Sequence, residues 1–182
     1  MKYYLRIGGT LLAITVCIAF MLSVINLLTC DIIEEQKDAK LYLSIEKIFP
    51  DSEIAEATDY AFNSPVDKVY NIIKADEIIG YGVVVLPKGF GGVIKLMVGI
   101  NLSGEVLGVQ VISHTETPKF GGSAAEEPYL NKYIGKKAVV KLNADIDAVA
   151  GATITSKAIL NGINAALSIP GLFDNGEVIT DE

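Results

Sequence analysis

A run of 23 residues without a charge, IGGTLLAITVCIAFMLSVINLLT at Ile7–Thr29, constrains the fold of this chain more than any other feature. As an α-helix it would be about 34 Å long at ~1.5 Å per residue, which is enough to cross a hydrocarbon core of about 30 Å. We therefore predict a retained transmembrane helix over residues 7–29.

Two kinds of N-terminal processing are alternatives to a retained helix. A cleavable signal peptide normally has an apolar core of about 7–15 residues and a small-x-small cleavage site. The run at Ile7–Thr29 is longer and has no clear site of that kind. The tetrapeptide LLTC at Leu27–Cys30 resembles a weak lipoprotein cleavage site, in which threonine is a poor match before the cysteine. Lipidation of Cys30 stays open.

The charges on either side of the apolar run predict its orientation. Lys2 and Arg6 precede the run, whereas Asp31, Glu34 and Glu35 follow it. Positively charged flanks stay in the cytoplasm. We therefore expect a single-pass protein of the cell membrane whose N-terminus is cytoplasmic and whose C-terminal domain is extracytoplasmic.

Composition argues against several classes of function. The net charge of −7 argues against nucleic acid and against an anionic membrane surface as partners. Both cysteines, Cys17 and Cys30, lie within or directly after the apolar run, so the rest of the chain has no CxxC metal or iron–sulfur site. A single histidine cannot build an ordinary transition-metal ligand set. A GxGxxG nucleotide fingerprint is also absent.

The order of apolar runs and turn residues predicts an α+β fold. Turn signals such as PKGFGG and NLSG separate four predicted antiparallel strands at Val66–Ile73, Gly80–Leu86, Val93–Ile100 and Val106–Ser113. We also predict helices at Glu126–Ile134 and Ser156–Leu167, the second ended by Pro170-Gly171, and a strand at Ala138–Leu142. The expected architecture is a twisted antiparallel sheet with helices packed on one face.

The chain is predicted to have four parts. Residues 1–6 form the cytoplasmic N-terminus and residues 7–29 the transmembrane helix. Residues 30–65 form a helical linker region, with a helix at Glu34–Ile48 and a turn-rich stretch at Asp51–Ser64. Residues 66–182 form the extracytoplasmic domain.

Three hydroxyls are clustered where the last helix begins, in DAVAGATITSKAILNGINAAL at Asp147–Leu167. Thr153, Thr155 and Ser156 could cap the free N–H groups of the first helical turn. A helix N-terminus also attracts anions, and the Gly151-Ala152 pair would let a phosphate approach the backbone. The residues alone leave both interpretations open.

A second polar cluster, VISHTETPKFGG at Val111–Gly122, directly follows a predicted strand. It contains His114, Glu116 and Thr117 in a loop at the end of the sheet, which is a common position for binding residues. A structurally satisfied histidine is the alternative for His114.

Together the two clusters resemble a known family. The segment GFGGVIKLMVGINLSGEVLGVQVISHTETPKFG, followed by DAVAGATITSKAILNGI, is similar to the FMN-binding domain of the G subunit of the Rnf complex. That complex is an ion-translocating ferredoxin:NAD oxidoreductase of bacterial and archaeal membranes. The C subunit of the sodium-pumping NADH:quinone oxidoreductase is a related, generally longer chain. The resemblance covers the apolar run and the chain from about Gly80 onward.

The resemblance implies a covalently bound FMN. In the family, a separate flavin transferase uses FAD to form a phosphoester with the threonine of a Ser/Thr-Gly-Ala-Thr motif, which is Thr153 here. One departure is Ala150, which stands where the family usually has Ser or Thr. The other cofactor-binding residues implied are Gly151, Ala152, Thr155 and Ser156 near the phosphate, and His114, Glu116 and Thr117 along the flavin ring.

The implied function is electron carriage within a membrane complex that couples electron transfer to ion translocation. The other subunits would be its partners, and we expect no independent catalysis and no catalytic residues. Two alternatives stay open. One is a stand-alone, membrane- or lipid-anchored flavoprotein that shuttles electrons outside the cytoplasm, and the other is a flavin-free interaction subunit whose hydroxyl cluster only caps a helix.

Overall fold

The computed structural model describes residues 2–57, 63–137, 139–169 and 172. By its internal contacts the chain divides into two compact units, Met1–Lys40 and Leu41–Glu182. The predicted stop at Pro170-Gly171 and the first residue of the predicted strand, Ala138, lie outside the described residues.

A single long helix, α1 (Lys2–Ile48), replaces the two helices that we predicted at residues 7–29 and 34–48. The physical reason is that the sequence contains no proline or glycine between Thr10 and Ile48, so nothing interrupts the backbone hydrogen bonding. Pro50 follows shortly after the helix ends. An 18-residue window within the segment Lys2–Thr29 has a mean hydropathy of 2.6, and the segment is long and apolar enough to cross a membrane by length and composition.

The second unit is built on a five-stranded antiparallel sheet with the strand order β1-β2-β3-β4-β5. This meander confirms the predicted α+β class. The strands are β1 (Glu53–Glu56), β2 (Val66–Lys74), β3 (Glu77–Val85), β4 (Lys95–Asn101) and β5 (Val106–Ser113). The stretch Asp51–Ser64 was predicted as turn-rich, and this was wrong in part because β1 pairs with β2 as an edge strand.

The sheet is covered on both faces, which corrects our expectation of helices on one face. One apolar cluster joins Val83, Leu96 and Val98 to Ile159 and Ile163. The other cluster lies on the opposite face and joins the end of α1 to the sheet through Leu41, Ile45, Phe49, Ile72, Val84 and Met97. β3 is buried without interruption from Gly80 to Val85. A sheet covered on one face only would show alternating buried and exposed residues, so this burial agrees with a sheet covered on both faces.

Two glycines of a row of three, Gly99 and Gly108, make room for the end of α1. Gly82, Gly99 and Gly108 are direct cross-strand partners on β3, β4 and β5. A Cβ atom at Gly99 would lie 2.5 Å from Cγ2 of Ile48 and 2.9 Å from Cε2 of Phe49. Only a residue without a side chain allows this close approach of helix and sheet.

Short helices connect the sheet to the last helix. They are α2 (Gly121–Ala124), α3 (Glu127–Leu130) and a 3₁₀ turn at Asn131–Tyr133, which together occupy the predicted helix region Glu126–Ile134 and the loop before it. The last helix, α4 (Thr153–Leu167), begins three residues before the predicted start at Ser156. Its apolar face is buried as predicted, with Ile159, Leu160 and Ile163 in the core.

The predicted strand at Ala138–Leu142 is replaced by a different hydrogen-bonding arrangement. The N–H of Val140 donates to Oδ1 of Asn164 (2.9 Å), and Nδ2 of Asn164 donates to the carbonyl of Val140 (2.8 Å). Within the described residues 139–142, the one strand-like contact is an isolated parallel bridge from Leu142 to Ile146. The side chain of Asn164 on α4 therefore makes the backbone hydrogen bonds that a neighbouring strand would have made.

A buried tyrosine pair lies beside β5. The hydroxyl oxygens of Tyr129 and Tyr133 are 3.3 Å apart, and the rings meet edge to face with centroids 5.8 Å apart. Burial, and secondly the hydrogen bond to Tyr129, raise the pKa of the Tyr133 hydroxyl far above its usual range.

Candidate functional site

A cavity of about 490 Å³ opens at one end of the sheet in the unit Leu41–Glu182. Three segments form it: the β3–β4 connection, the loop after β5 with the start of α2, and the start of α4. Its volume lies within the range of about 300–1,000 Å³ found for small-molecule and cofactor sites. The lining residues are Phe90, Glu116, Thr117, Phe120, Gly121, Gly151, Thr153, Ile154 and Thr155.

The hydroxyl cluster does not cap α4. The N-cap residue is Ala152, and no side chain makes a cap hydrogen bond at this end of the helix. Thr153, Thr155 and Ser156 are all inside the first turn, whereas a capping hydroxyl belongs to the residue before it. The capping interpretation of the cluster is therefore wrong, and the first N–H groups of α4 keep their capacity to bind an acceptor.

The three hydroxyls have different surroundings. Thr153 is exposed and lines the cavity. Thr155 is buried, and its Oγ1 donates to Oε2 of Glu116 at 2.9 Å. Ser156 is fully buried, and its Oγ accepts from the N–H of Val149 at 3.1 Å. Of the three, only Thr153 presents its side chain to solvent, as an acceptor for a modifying enzyme must.

The backbone before α4 is open on the cavity side. Gly151 has φ +79, and a Cβ atom built there would have nothing within 4 Å. The left-handed conformation explains why glycine is favoured at this position, and the free space explains how a bulky group could approach Thr153. Ala152 is buried and lies outside the set of lining residues.

Glu116 is a buried carboxylate that ties the three segments together. Its Oε1 accepts from the N–H of Gly91 at 2.8 Å, and its Oε2 accepts from Thr155 at 2.9 Å. Neighbouring Thr115 donates from Oγ1 to the carbonyl of Gly91 at 2.9 Å. The loop after β5 therefore holds both the β3–β4 connection and the start of α4 in place.

Two glycines leave the space that this carboxylate occupies. A Cβ atom at Gly89 would collide with Oε1 of Glu116, and one at Gly121 would collide with Oε2. Each side chain would displace the carboxylate and its hydrogen bonds. Gly89 and Gly121 thus leave Glu116 the space that its hydrogen bonds require.

The two remaining residues of the predicted ring site differ in position. Thr117 is exposed and lines the cavity. His114 is exposed and is not among the lining residues, and its Nδ1 accepts a hydrogen bond of 3.1 Å from the N–H of Glu116. This contact orients the loop that carries Glu116.

Sequence reasoning missed the apolar rim of the cavity. Phe90, Phe120 and Ile154 are 76%, 63% and 57% exposed, which is unusual for large apolar side chains grouped around a cavity. A signal was present: Phe-Gly-Gly occurs at residues 90–92 and again at residues 120–122. The glycine pair of the first copy is also a turn signal, which hides the role of its phenylalanine in the rim.

Metal chemistry finds no support in the arrangement. Among the residues that the structure describes, no group of three or more His, Cys, Asp or Glu side chains is arranged to hold a metal ion. Glu116, the one carboxylate that lines the cavity, is already occupied by two donors.

A known family matches the part of the chain that forms the cavity. The family model described as the FMN-binding domain matches residues 89–168, a range that contains every residue lining the cavity. Residues 89–168 are therefore similar to the FMN-binding domain family.

Relatives of the chain are named as one subunit of ion-translocating complexes. The G subunit of the proton-translocating ferredoxin:NAD(+) oxidoreductase complex of Clostridium ljungdahlii is 36% identical over 59% of this chain and 62% of its own length. The G subunit of the Na(+)-translocating complex of Acetobacterium woodii is 26% identical over 92% of both chains. The G subunit of the ion-translocating oxidoreductase complex of Pseudomonas aeruginosa is 36% identical over 44% of this chain and 43% of its own.

The matches to the Clostridium and Pseudomonas proteins therefore span less than two thirds of those relatives. Among solved structures, the crystal structure of Shewanella oneidensis NqrC is similar to this chain. It has a TM-score of 0.48 and 23% identity over 53% of each chain.

The cavity fits the cofactor of an FMN-binding domain. Its exposed apolar rim suits a flat aromatic ring system, and the uncapped N–H groups of α4 suit a phosphate. No acidic side chain lies in the first turn of α4 to repel that phosphate.

Proposed function

We propose that this protein is the FMN-carrying G subunit of a membrane-bound, ion-translocating ferredoxin:NAD oxidoreductase complex of the Rnf type. In this proposal FMN is joined by a phosphoester to Thr153, and the domain relays electrons between other redox centres. The observation that carries the proposal is that Thr153 is the one exposed hydroxyl of the GATITS motif and lines the cavity of an FMN-binding domain.

The attachment step needs a second enzyme. A threonine hydroxyl is a weak nucleophile and requires activation by a base, and the one carboxylate lining this cavity is bound to Gly91 and Thr155. A flavin transferase would direct the Thr153 oxygen to the FMN phosphorus of FAD, with AMP as leaving group and the hydroxyl proton passing to the transferase. The exposed position of Thr153 and the open space at Gly151 support access by such an enzyme.

The phosphate would be held by backbone rather than by hydroxyl groups. A phosphate needs hydrogen-bond donors, yet the proton of Thr155 is directed to Glu116 and Ser156 faces Val149. The N–H groups of residues 153–155 at the start of α4 remain, together with the positive end of the helix dipole. We therefore revise the roles proposed for the side chains of Thr155 and Ser156 from phosphate donors to supports of the loops.

The ring would lie among Phe90, Phe120 and Ile154, with Glu116 and Thr117 at its polar side. FMN supplies one- or two-electron transfer, and the protein contributes position, burial and hydrogen bonding. The residues of this chain would therefore orient the ring and exclude water from it. No acid–base pair for turnover of a small substrate is evident in the part of the chain that the structure describes.

The location of the domain belongs to the same proposal. The segment Lys2–Thr29 would anchor the chain in the membrane, and the charges flanking the apolar run would keep the N-terminus in the cytoplasm and the FMN-binding domain outside. Covalent attachment suits that location because a flavin held only by equilibrium binding is lost where free flavin is scarce.

A matched set of threonine variants tests the proposal. Thr153→Val keeps the shape of the side chain and removes its hydroxyl, whereas Thr117→Val makes the same change at another exposed threonine of the cavity. After coexpression with a flavin transferase, the parent and Thr117→Val should fluoresce on a denaturing gel under ultraviolet light, and Thr153→Val should be dark.

Three further outcomes bear on the attachment site and on the alternative functions. A dark parent protein would favour a flavin-free interaction subunit, and a fluorescent Thr153→Val protein would place the linkage elsewhere. A fluorescent protein that purifies without other subunits, with a lipid mass on Cys30, would favour the stand-alone shuttle.

A further inference from the structure

The exposed charges around the cavity differ in sign from the rest of the protein. The chain contains 22 acidic and 15 basic residues. The three stretches that form the cavity, residues 88–95, 114–122 and 151–157, contain four lysines and one acidic residue. That acidic residue, Glu116, is buried, whereas Lys88, Lys119 and Lys157 are exposed. The cavity mouth is therefore a positive region on a negative molecule.

The lysines are close enough to the mouth to set its potential. Lys88 and Lys119 lie within two residues of Phe90 and Phe120, which is at most about 7 Å along the chain. Lys157 follows Thr153 by four residues and so lies on the same side of α4, about 6 Å along its axis. These distances are below the screening length of about 8 Å at physiological salt.

None of the three lysines is neutralised within the described part of the chain. The ion pairs there join Lys47 to Glu127, Lys68 to Glu56 and Lys137 to Glu105. An apolar rim with unpaired charges of one sign around it is typical of a protein-binding surface, in which the apolar centre gives affinity and the charges steer the encounter.

We propose that this rim, Phe90, Phe120 and Ile154 with Lys88, Lys119 and Lys157, is the docking surface for a redox partner protein that presents carboxylates around an apolar patch. The inference rests on the proposed function in one respect, because an electron carrier must bring its cofactor close to another redox centre. A partner seated on the rim would close the cavity to water and cover the exposed phenylalanines.

An anionic membrane surface is the competing occupant for lysines beside phenylalanines. The net charge of −7 opposes it, and a lipid surface over the mouth would separate the cavity from any protein redox centre. A protein partner therefore explains both the charges and the position of the rim.

Site-specific photo-crosslinking tests the inference without needing the flavin. The full chain would carry p-benzoylphenylalanine at Phe120 and be expressed in the membranes of the cells that make the protein. Irradiation should give a crosslink to a peptide of another protein with Asp or Glu beside apolar residues. The matched control carries the same group at Leu102, which is 52% exposed in the β4–β5 turn at the opposite end of the sheet.

Charge reversal and salt then test the electrostatic part. Lys88→Glu with Lys119→Glu should lower the crosslink yield at Phe120 several-fold, and 1 M salt, with a screening length of about 3 Å, should do the same. Lys74→Glu, at the far end of β2, should not change the yield.

Several results would overturn the docking surface: no crosslink, crosslinks to lipid or to another copy of this chain, a partner peptide without carboxylates, or a yield indifferent to the lysines. Gel fluorescence of the same samples reports flavin separately, so a failure of the proposed function is distinguishable. Loss of flavin in the double variant with an unchanged crosslink would assign the lysines to the cofactor instead, and would also overturn the inference.

Discussion

Removal of the Glu116 carboxylate should weaken the contacts among the three segments that form the cavity, which are the loop after β5, the β3–β4 connection and the start of α4. The carboxylate is 5% exposed and accepts hydrogen bonds of 2.8 Å from Gly91 and 2.9 Å from Thr155. Glu116→Ala would leave an N–H group and a hydroxyl without their partner. It would also release the β3–β4 connection from α4.

The expected cost follows from these two hydrogen bonds. A hydrogen bond to a charged group contributes about 1.5–3 kcal/mol, so the gross loss is about 3–6 kcal/mol. The freed groups border a cavity of about 490 Å³ that can admit water, and hydration offsets part of the loss. We expect a net destabilisation of about 2–3 kcal/mol, or a fall in Tm of about 6–9 °C for a unit of this size.

Glu116→Gln is the informative companion variant. The amide oxygen can still accept from Gly91, and the Thr155 hydroxyl can rotate to accept from the amide nitrogen. The glutamine variant should therefore stay within about 1 kcal/mol of the parent at neutral pH. Thr117→Ala, an exposed neighbour in the same cavity, should change stability by less than about 0.5 kcal/mol.

Thermal unfolding of the full chain in detergent, followed by the near-ultraviolet circular dichroism of its tyrosines, measures these differences. The sequence has no tryptophan, and Tyr81, Tyr129 and Tyr133 are buried in the second unit. The hydrogen-bonded role of Glu116 is refuted if Glu116→Ala has the same Tm as Thr117→Ala. It is also refuted if Glu116→Gln lowers the Tm as much as Glu116→Ala does.

Three further predictions follow from the fold and the charge pattern. Gly99→Ala should destabilise the fold by about 1–3 kcal/mol because its Cβ would meet Ile48 and Phe49 at 2.5 and 2.9 Å. Gly82→Ala should destabilise it less because the nearest neighbours of its Cβ are the flexible ends of Ile72 and Met97 at 3.3 Å. An equal fall in Tm for both variants would contradict this packing. Because the Tyr133 pKa is raised in the folded state, its contribution to stability is intact below pH ~10 and is lost above it by up to ~1.4 kcal/mol per pH unit. In denaturant titrations, the free energy of unfolding of Tyr133→Phe should fall less steeply above pH ~10 than that of the parent. An equal dependence on pH in both proteins would contradict this role of Tyr133. Protease added to intact cells without an outer barrier should remove an epitope at Tyr129–Tyr133, and protection until lysis would reverse the orientation.

The sequence was informative wherever structure is local. β2, β4 and β5 were predicted within two residues because apolar runs end at turn residues such as Ser103-Gly104, where Asn101 Oδ1 accepts from two backbone N–H groups. The short edge strand β1 was missed because its sequence EIAE is half acidic and half exposed. Propensity cannot distinguish such a segment from a loop when pairing with a neighbour decides the outcome.

In the candidate site, too, local features could be predicted from the sequence and contacts between distant segments could not. Its motifs lie in short stretches of sequence, the proposed attachment at Thr153 is implied by the resemblance to the family, and the family match agrees with FMN as the cofactor. The Glu116 contacts could not be predicted because Gly91 and Thr155 lie 25 and 39 residues away along the chain. The start of α4 was misplaced because Ala152, rather than a hydroxyl residue, occupies the N-cap.

The covalent attachment can be tested at the level of a single residue. Trypsin cleavage after Lys141 and Lys157 gives the peptide Leu142–Lys157, in which Thr153, Thr155 and Ser156 are the only hydroxyl side chains. For protein made together with a flavin transferase, mass spectrometry should find this peptide heavier by FMN less one water. Fragmentation by electron transfer should assign the added mass to Thr153. An unmodified peptide, or an added mass on Thr155 or Ser156, would contradict the account.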